Sequence, residues 1–183
     1  MNQVMLDWET MGNKPNAAVM ALGACFFDTA TGQIGEIFYS EISLQSSVAL
    51  GLDIDASTVL WWMQQSDEAR IKFKLNGDEN TPTVSKALIE FSDWLKQHAE
   101  GDVELWGNGA TFDNVIAANV FDKLSLDLPW KFCNDRCYRT VKSIYKDVPY
   151  VFKGVKHFAL DDAISQAKHL CAIAQKHKIL GVV

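Results

Sequence analysis

A short apolar segment that ends in two carboxylates, residues 4–12, is the feature that most constrains the fold of this chain. An apolar run of this length bounded by a turn predicts a buried β-strand. Because alternate residues of a strand share one face, Asp7 and Glu9 should project side by side from its end. Burying two like charges is costly unless something compensates them, and for oxygen ligands a divalent cation such as magnesium or manganese does so. The same pair also occurs where a strand leaves the core and bonds loop amides, so both interpretations stay open here.

Size and composition indicate a single domain that spans residues 1–183. The chain is 48% hydrophobic and 22% charged, which is typical of a soluble globular protein rather than a disordered or fibrous one. No apolar run approaches the roughly 18 residues that a membrane span needs, so we expect no membrane partner. The N-terminal segment lacks the features of a signal peptide, and we therefore expect a cytoplasmic protein.

The charge and the cysteines narrow the function classes further. A net charge of −6 argues against nucleic-acid binding through a broad basic face, although an acidic cleft that holds metal ions fits this balance. The four cysteines lack zinc-ligand spacing, and we expect buried or half-buried free thiols. They are Cys25, Cys133, Cys137 and Cys171.

Hydrophobic periodicity predicts an α/β order of elements. Three strands joined by short connections, centred on residues 4–10, 19–27 and 34–42, suggest an antiparallel meander. Further strands are predicted at 103–106 and 130–134. Helices are predicted at 56–65 with Ser57 as N-cap, 83–98, 111–124, 136–145 and 159–177. Residues 46–52 and 67–73 are weaker helix candidates, 76–82 form a polar break, and 152–157 form a loop.

Two later segments carry acids that could meet the first pair. Asp113 follows a Gly-Asn-Gly turn and lies in the opening turn of a predicted helix. His157 precedes the last helix, whose start carries Asp161 and Asp162. Taken alone, acids in a first helical turn are explained by the helix dipole, and a loop histidine is most simply a surface residue.

Together these pieces resemble a known pattern. Three motifs occur in order: D-x-E in the first strand, F-D after a G-N turn, and H-x(4)-D near the end. In this order they resemble the DEDDh branch of the DnaQ-like 3′→5′ exonucleases. The segments 6–12 and 56–63 are most similar to the subgroup that holds phage exonuclease A, proteins named exonuclease VIII and mycobacterial-type 3′-5′ exoribonucleases. The resemblance implies an RNase H-like fold, in which helices flank a mixed five-stranded sheet.

The resemblance also implies a chemistry. Asp7, Glu9, Asp113 and Asp162 would hold two divalent ions, Mg²⁺ or Mn²⁺, and His157 would be the general base. Family spacing from the histidine selects Asp162, and Asp161 is the alternative. The substrate would be single-stranded DNA or RNA with a free 3′ end, and the products nucleoside 5′-monophosphates. Dimers occur in related families, so a homodimer is possible.

Substrate contacts are predicted less directly. Thr10, Met11 and Phe112 flank the implied ligands, and their counterparts in the family lie beside the terminal nucleotide. Trp61 is a further stacking candidate with its neighbour Trp62, although a tryptophan pair on a helix more often belongs to the core. Lys153 and Lys156 either contact a phosphate or are plain loop residues, while His98, His169 and His177 are expected to be solvated.

Two other functions compete with a nuclease. A phosphatase of the haloacid dehalogenase type also begins with a strand that ends in paired acids, but it needs aspartate where this chain has Glu9. A non-catalytic RNase H-like module that binds nucleic acid is the stronger alternative. The loss of a ligand or of the base would indicate such a module, and no member of the implied set is missing. A purely structural interaction protein would show no metal-dependent change in melting temperature.

Overall fold

In the computed structural model, residues 1–75 and 80–182 are described, and within them the strands form one mixed five-stranded sheet of order β3-β2-β1-β4-β5. The strands are β1 (Gln3–Thr10), β2 (Val19–Phe27), β3 (Ile34–Glu41), β4 (Glu104–Gly107) and β5 (Asp135–Cys137). The first three pair antiparallel, which confirms the predicted meander, whereas β4 and β5 run parallel to β1. Residues 76–79 of the predicted polar break lie outside the described residues.

The predicted fifth strand is misplaced. Residues 132–134 form a turn of 3-10 helix, and the strand begins at Asp135. Trp130 is buried, packs edge-on against Phe121 and donates from its indole to the Asp135 carboxylate at 3.0 Å. Its apolar side chain therefore serves the core rather than a strand ladder, and the sequence pattern did not distinguish these two uses.

The helices follow the predicted order with small differences at their ends. They are α1 (Leu44–Ala49), α2 (Ala56–Met63), α3 (Asp67–Leu75), α4 (Val84–His98), α5 (Val115–Lys123), α6 (Tyr138–Ile144) and α7 (Ala159–His177). Asp55, not Ser57, caps α2, because its carboxylate accepts both the backbone amide and the hydroxyl of Ser57. None of the helices in the described ranges has the length and apolar character needed to cross a lipid bilayer.

Helices cover both faces of the sheet. The stripe Val84, Leu88 and Phe91 buries α4 against one face, where it meets α5. On the opposite face α6 and α7 pack over a smaller apolar cluster that includes Met5 of β1. The sheet is therefore the middle layer, and β1 is its central strand.

A glycine allows α7 to approach the sheet closely. A Cβ atom on Gly23 of β2 would lie 2.2 Å from the backbone carbon of Ala159, the first residue of α7. Gly23 is also the cross-strand partner of Asp7. The start of α7 thus lies against the sheet beside the acidic end of β1, which positions the helix for the site.

Two surface predictions are wrong. His169 is buried, since the Tyr138 hydroxyl lies 2.7 Å from its Nδ1 and the Val148 carbonyl 2.9 Å from its Nε2. A histidine with both ring nitrogens in hydrogen bonds can be buried at low cost. Cys133 is exposed although a buried or half-buried thiol was expected, whereas Cys25 and Cys171 are buried and Cys137 is partly buried.

Candidate active site

Three carboxylates converge at the end of β1. Among the described residues, Asp7, Glu9 and Asp162 each offer an oxygen atom, and these atoms lie within 4.8 Å of one another. Asp7 and Glu9 share a face of β1, and the start of α7 supplies Asp162. Burial raises the pKa of both Asp7 and Glu9 well above the ordinary range, and the neighbouring acids raise it further. Because burial and mutual repulsion disfavour the ionised carboxylates, a bound cation would stabilise them.

Asp113 is the most deeply buried acid of the site. It lies in a five-residue π-helical turn, Ala110–Asn114, that precedes α5, and its side chain is 1% exposed. Its Oδ2 has no hydrogen-bond partner among the described residues. Burial raises the pKa of Asp113 to about 7, although backbone hydrogen bonds and the charge of Arg139 oppose that rise. Its charge also acts on Asp7 and Glu9, so it belongs to the same electrostatic cluster.

Gly107 makes room for Asp113. A Cβ atom at Gly107 would lie 2.7 Å from the Cβ of Asp113 and 2.3 Å from Oδ1 of Asn114. The Trp8 indole donates to the backbone carbonyl of Asp113 at 3.2 Å, which ties the turn to β1. The glycine turn noted in the sequence therefore has a packing role next to the acid.

The two consecutive aspartates of α7 have different surroundings. Asp162 joins the carboxylate cluster and accepts the backbone N–H of His157 at 2.9 Å, and burial raises its pKa. Asp161 instead accepts the backbone N–H of Val155 at 2.8 Å and packs against Gly154, whose φ of +113° suits only glycine. Asp161 therefore shapes the loop, and Asp162 faces the cluster.

His157 is held beside two tryptophans. Its ring lies edge-on to Trp61 and Trp62, with centroid separations of 4.9 and 5.8 Å, and its backbone has φ of +62°. A left-handed conformation is uncommon for a residue other than glycine, and it is often found at functional sites. Trp62 is buried and donates to the carbonyl of Thr10 at 2.9 Å, whereas Trp61 is 42% exposed. The core interpretation therefore holds for Trp62 and not for Trp61.

A cleft of about 530 Å³ opens over these groups. Its lining includes most of the predicted site residues, namely Asp7, Glu9, Thr10, Trp61, Phe112, His157 and Asp162. Met11 is not part of this lining, because it packs against the buried cluster around Met20 and Trp62. Lys153 and Lys156 are exposed and also lie outside the lining.

One residue of the site was missed in the sequence. Gln166 is 3% exposed, lies one helical turn after Asp162 and donates from Nε2 to Oδ1 of Asp7 at 2.7 Å. The spacing i, i+4 from Asp162 places both side chains on one face of α7. That spacing was the available signal, but it becomes meaningful only once the face is known to meet β1.

The donor set fits a hard divalent cation. The converging atoms are all carboxylate oxygens, and the unpartnered Oδ2 of Asp113 is the kind of buried acceptor that a cation satisfies. Without a bound cation the pKa values of these carboxyl groups are raised, which is the expected consequence of burying them close together.

Known proteins are similar to this chain in sequence and in fold. Residues 2–174 match the family model of the 3′-5′ exoribonuclease Rv2179c-like domain. A 167-residue stretch is 29% identical to the exodeoxyribonuclease of Enterobacteria phage T4, covering 76% of this chain and 70% of that protein.

Solved structures agree in fold. The nuclease domain of 3′hExo, a DEDDh family member bound to rAMP, superposes with a TM-score of 0.63 at 16% identity, covering 99% of this chain and 94% of that one. Exonuclease X in complex with 5′ overhanging duplex DNA gives a TM-score of 0.58 at 12% identity, covering 97% and 93%. The RNase H-like architecture that the motifs implied is therefore confirmed. The chain belongs to the family of the 3′-5′ exoribonuclease Rv2179c-like domain and is a 3′-5′ exonuclease domain.

Proposed function

We propose that this chain removes the 3′-terminal nucleotide of single-stranded nucleic acid by hydrolysis, with Asp7, Glu9, Asp113 and Asp162 as ligands of two divalent ions and His157 as general base. The observation that carries the proposal is the convergence of acids distant in sequence at the floor of one open cleft. Products would be nucleoside 5′-monophosphates.

The four acids would hold Mg²⁺ or Mn²⁺. Bound at such a site, a pair of ions supplies an activated water and stabilises charge on the attacking and leaving oxygens of a phosphodiester. The acids themselves position these ions, and Gln166 holds the orientation of Asp7 through its 2.7 Å hydrogen bond. Asp113 is the ligand least accessible to water, so its charge depends most on neutralisation by a cation.

His157 would accept the proton of the attacking water. Histidine serves as a general base near neutral pH, and such a base contributes about 10² to 10⁴ in rate. His157 lines the cleft, its ring lies edge-on to Trp61, and the Asp162 carboxylate accepts its backbone N–H. The loop geometry supports the role, because the edge contacts with Trp61 and Trp62 limit where the imidazole can lie.

The terminal nucleotide would lie between Phe112 and Trp61, with Thr10 at its side. All three line the cleft, and an aromatic ring that stacks on an unpaired base contributes about 1–3 kcal/mol. The Thr10 hydroxyl already donates to the carbonyl of Gly12 at 2.7 Å, so its contact with substrate would be through its methyl group or backbone.

The test is digestion of matched DNA and RNA single strands carrying a 5′ label, with Mg²⁺, Mn²⁺ or a chelator. We expect stepwise shortening from the 3′ end with metal and none with chelator, and the relative rates on the two strands identify the preferred sugar. Binding without any shortening would instead support a non-catalytic module and refute the proposal.

The adjacent aspartates provide a matched control. Asp162→Asn should abolish shortening, because it removes a metal ligand. Asp161→Asn should retain it, because asparagine can still accept the Val155 amide. Equal loss in both variants would contradict the assignment of Asp162.

A homodimer and a cytoplasmic location stay predictions, and light scattering on the purified protein tests the first.

A further inference from the structure

A pair of cations lies beside Asn108, a residue that lines the cleft. Arg139 and Lys142 stand one turn apart on α6 and face the turn that follows β4. The guanidinium of Arg139 lies against Gly109, where a Cβ atom would come within 3.2 Å of it. Lys142 donates to Oδ1 of Asn108 at 3.1 Å, and its ammonium lies 4.9 Å above the ring centre of Tyr138.

Neither charge lies in an ion pair with a described carboxylate, although Arg139 is close enough to Asp113 to lower the pKa of that acid. Among the described residues Arg139 forms no ion pair or hydrogen bond, and Lys142 pairs with no carboxylate, although the chain has 23 acids for 17 lysines and arginines. Burial and the proximity of Arg139 both lower the pKa of Lys142. Two like charges on neighbouring helical positions repel each other, and a bound anion would relieve that repulsion.

The location of the pair indicates which anion. Asn108, the partner of Lys142, lines the cleft. Gly107 of β4 pairs with Leu6 of the neighbouring β1, so Asn108 and Asp7 each come directly after a residue of this pair. The cations are therefore one strand away from the acids. A nucleic acid strand whose terminal linkage lies at the acids needs cationic partners for its next phosphates, since the acids repel them.

We propose that Arg139 and Lys142, presented beside Asn108, bind a backbone phosphate of the substrate strand upstream of the scissile linkage. This inference rests on the proposed function and adds a strand-binding subsite to it. Arginine suits the role because its guanidinium is planar and offers several donors to phosphate oxygens. The subsite reads no base, so it acts on DNA and RNA of any sequence alike.

The first experiment measures the salt dependence of strand binding. Binding of a labelled single strand to full-length protein carrying Asp162→Asn, which should leave the strand intact, is followed by fluorescence anisotropy at several salt concentrations. Adding Arg139→Gln should weaken binding and reduce the slope of log K against log salt by about 0.7, the value for one lost phosphate contact on a single strand. The control Lys146→Gln, an exposed residue just beyond α6, should leave the slope unchanged.

The second experiment locates the phosphate. Each backbone linkage is replaced in turn by a neutral methylphosphonate. We expect one linkage upstream of the terminal one where neutralisation weakens binding to the Asp162→Asn protein but causes no further loss with Arg139→Gln. Losses that add at every linkage, or an unchanged slope in Arg139→Gln, would overturn the proposal.

These outcomes are separable from the parent proposal. If the unsubstituted protein shortens strands while Arg139→Gln and Lys142→Met bind them as Lys146→Gln does, only the subsite is refuted. If Lys153→Gln and Lys156→Gln reduce the slope instead, the phosphate contact belongs to the loop before His157, and the subsite is again refuted. If the unsubstituted protein shortens no strand, both proposals fail.

Discussion

The two faces of β1 perform opposite tasks with the same backbone. On one face Val4, Leu6 and Trp8 are all buried and pack toward α4 and α5. On the other face Met5 is buried, but the next positions are Asp7 and Glu9, whose charges burial disfavours. Each buried apolar side chain on the first face stabilises the fold, whereas the buried acids on the second face destabilise it while they form the site. Stability and activity should therefore respond in opposite directions to changes on the two faces.

The largest effect is expected at Asp7. Asp7→Asn should reduce the hydrolysis rate at least about 10³-fold, because a metal ligand contributes several kcal/mol of transition-state stabilisation. In chelator the same variant should melt higher than the unsubstituted protein, because a repelling charge has been removed from a buried cluster. Initial rates and thermal melts measure both quantities.

The matched control is Asp127→Asn, which changes an exposed acid far along the chain. It should alter neither quantity. A lower melting temperature for Asp7→Asn in chelator would contradict the view that the acidic face costs stability.

The apolar face should show the reverse. Leu88→Ala, on the buried stripe of α4, should lower the free energy of unfolding by about 2–5 kcal/mol, because it leaves a cavity in the main core. Urea denaturation measures this loss. The increase in melting temperature caused by Mn²⁺ should stay as in the unsubstituted protein; its disappearance would show that the two faces are not independent.

An intermediate effect is expected where α7 supports the acidic face. Gln166→Leu should lower kcat by about 10- to 100-fold and raise the metal concentration needed for half-maximal rate, since it removes the donor that orients Asp7. Metal titrations of the rate measure this shift. Gln175→Leu on the same helix, which loses only contacts to the carbonyls of Thr29 and Ala30, should leave the metal requirement unchanged, and an equal shift would argue for a general effect on α7.

The smallest effect is the pH dependence of the metal-free fold. Because burial raises the pKa of Asp113 from 3.8 to about 7, the folded state binds more protons than the unfolded state between these values. The stability that protonated Asp113 contributes is therefore present below about pH 4 and is lost as pH rises through about 7. Melting temperatures in chelator should fall by a few degrees over this window, and saturating Mn²⁺ should reduce the fall. A rise with pH over the same window would contradict the assignment.

Local patterns in the sequence were enough for the strand and for the pairing of its acids. A strand repeats every two residues, so Asp7 and Glu9 must share a face whatever the rest of the chain does. The amphipathic stripe of α4 is local in the same way, and the predicted helix agrees with the observed Val84–His98. The meander followed from the short connections alone.

The tertiary structure decided which distant residues meet. Asp162 rather than Asp161 joins the cluster because α7 docks on Gly23, a contact between residues more than a hundred positions apart. The fifth strand was misplaced because the Trp130 side chain packs into the core and donates its indole N–H to the Asp135 carboxylate instead of extending a ladder. The spacing of Gln166 from Asp162 and the Arg139–Lys142 pair could not be interpreted locally, since a polar helix face acquires a function only from the surface it meets. Periodicity is encoded over a few residues, whereas convergence depends on packing between elements far apart in the chain.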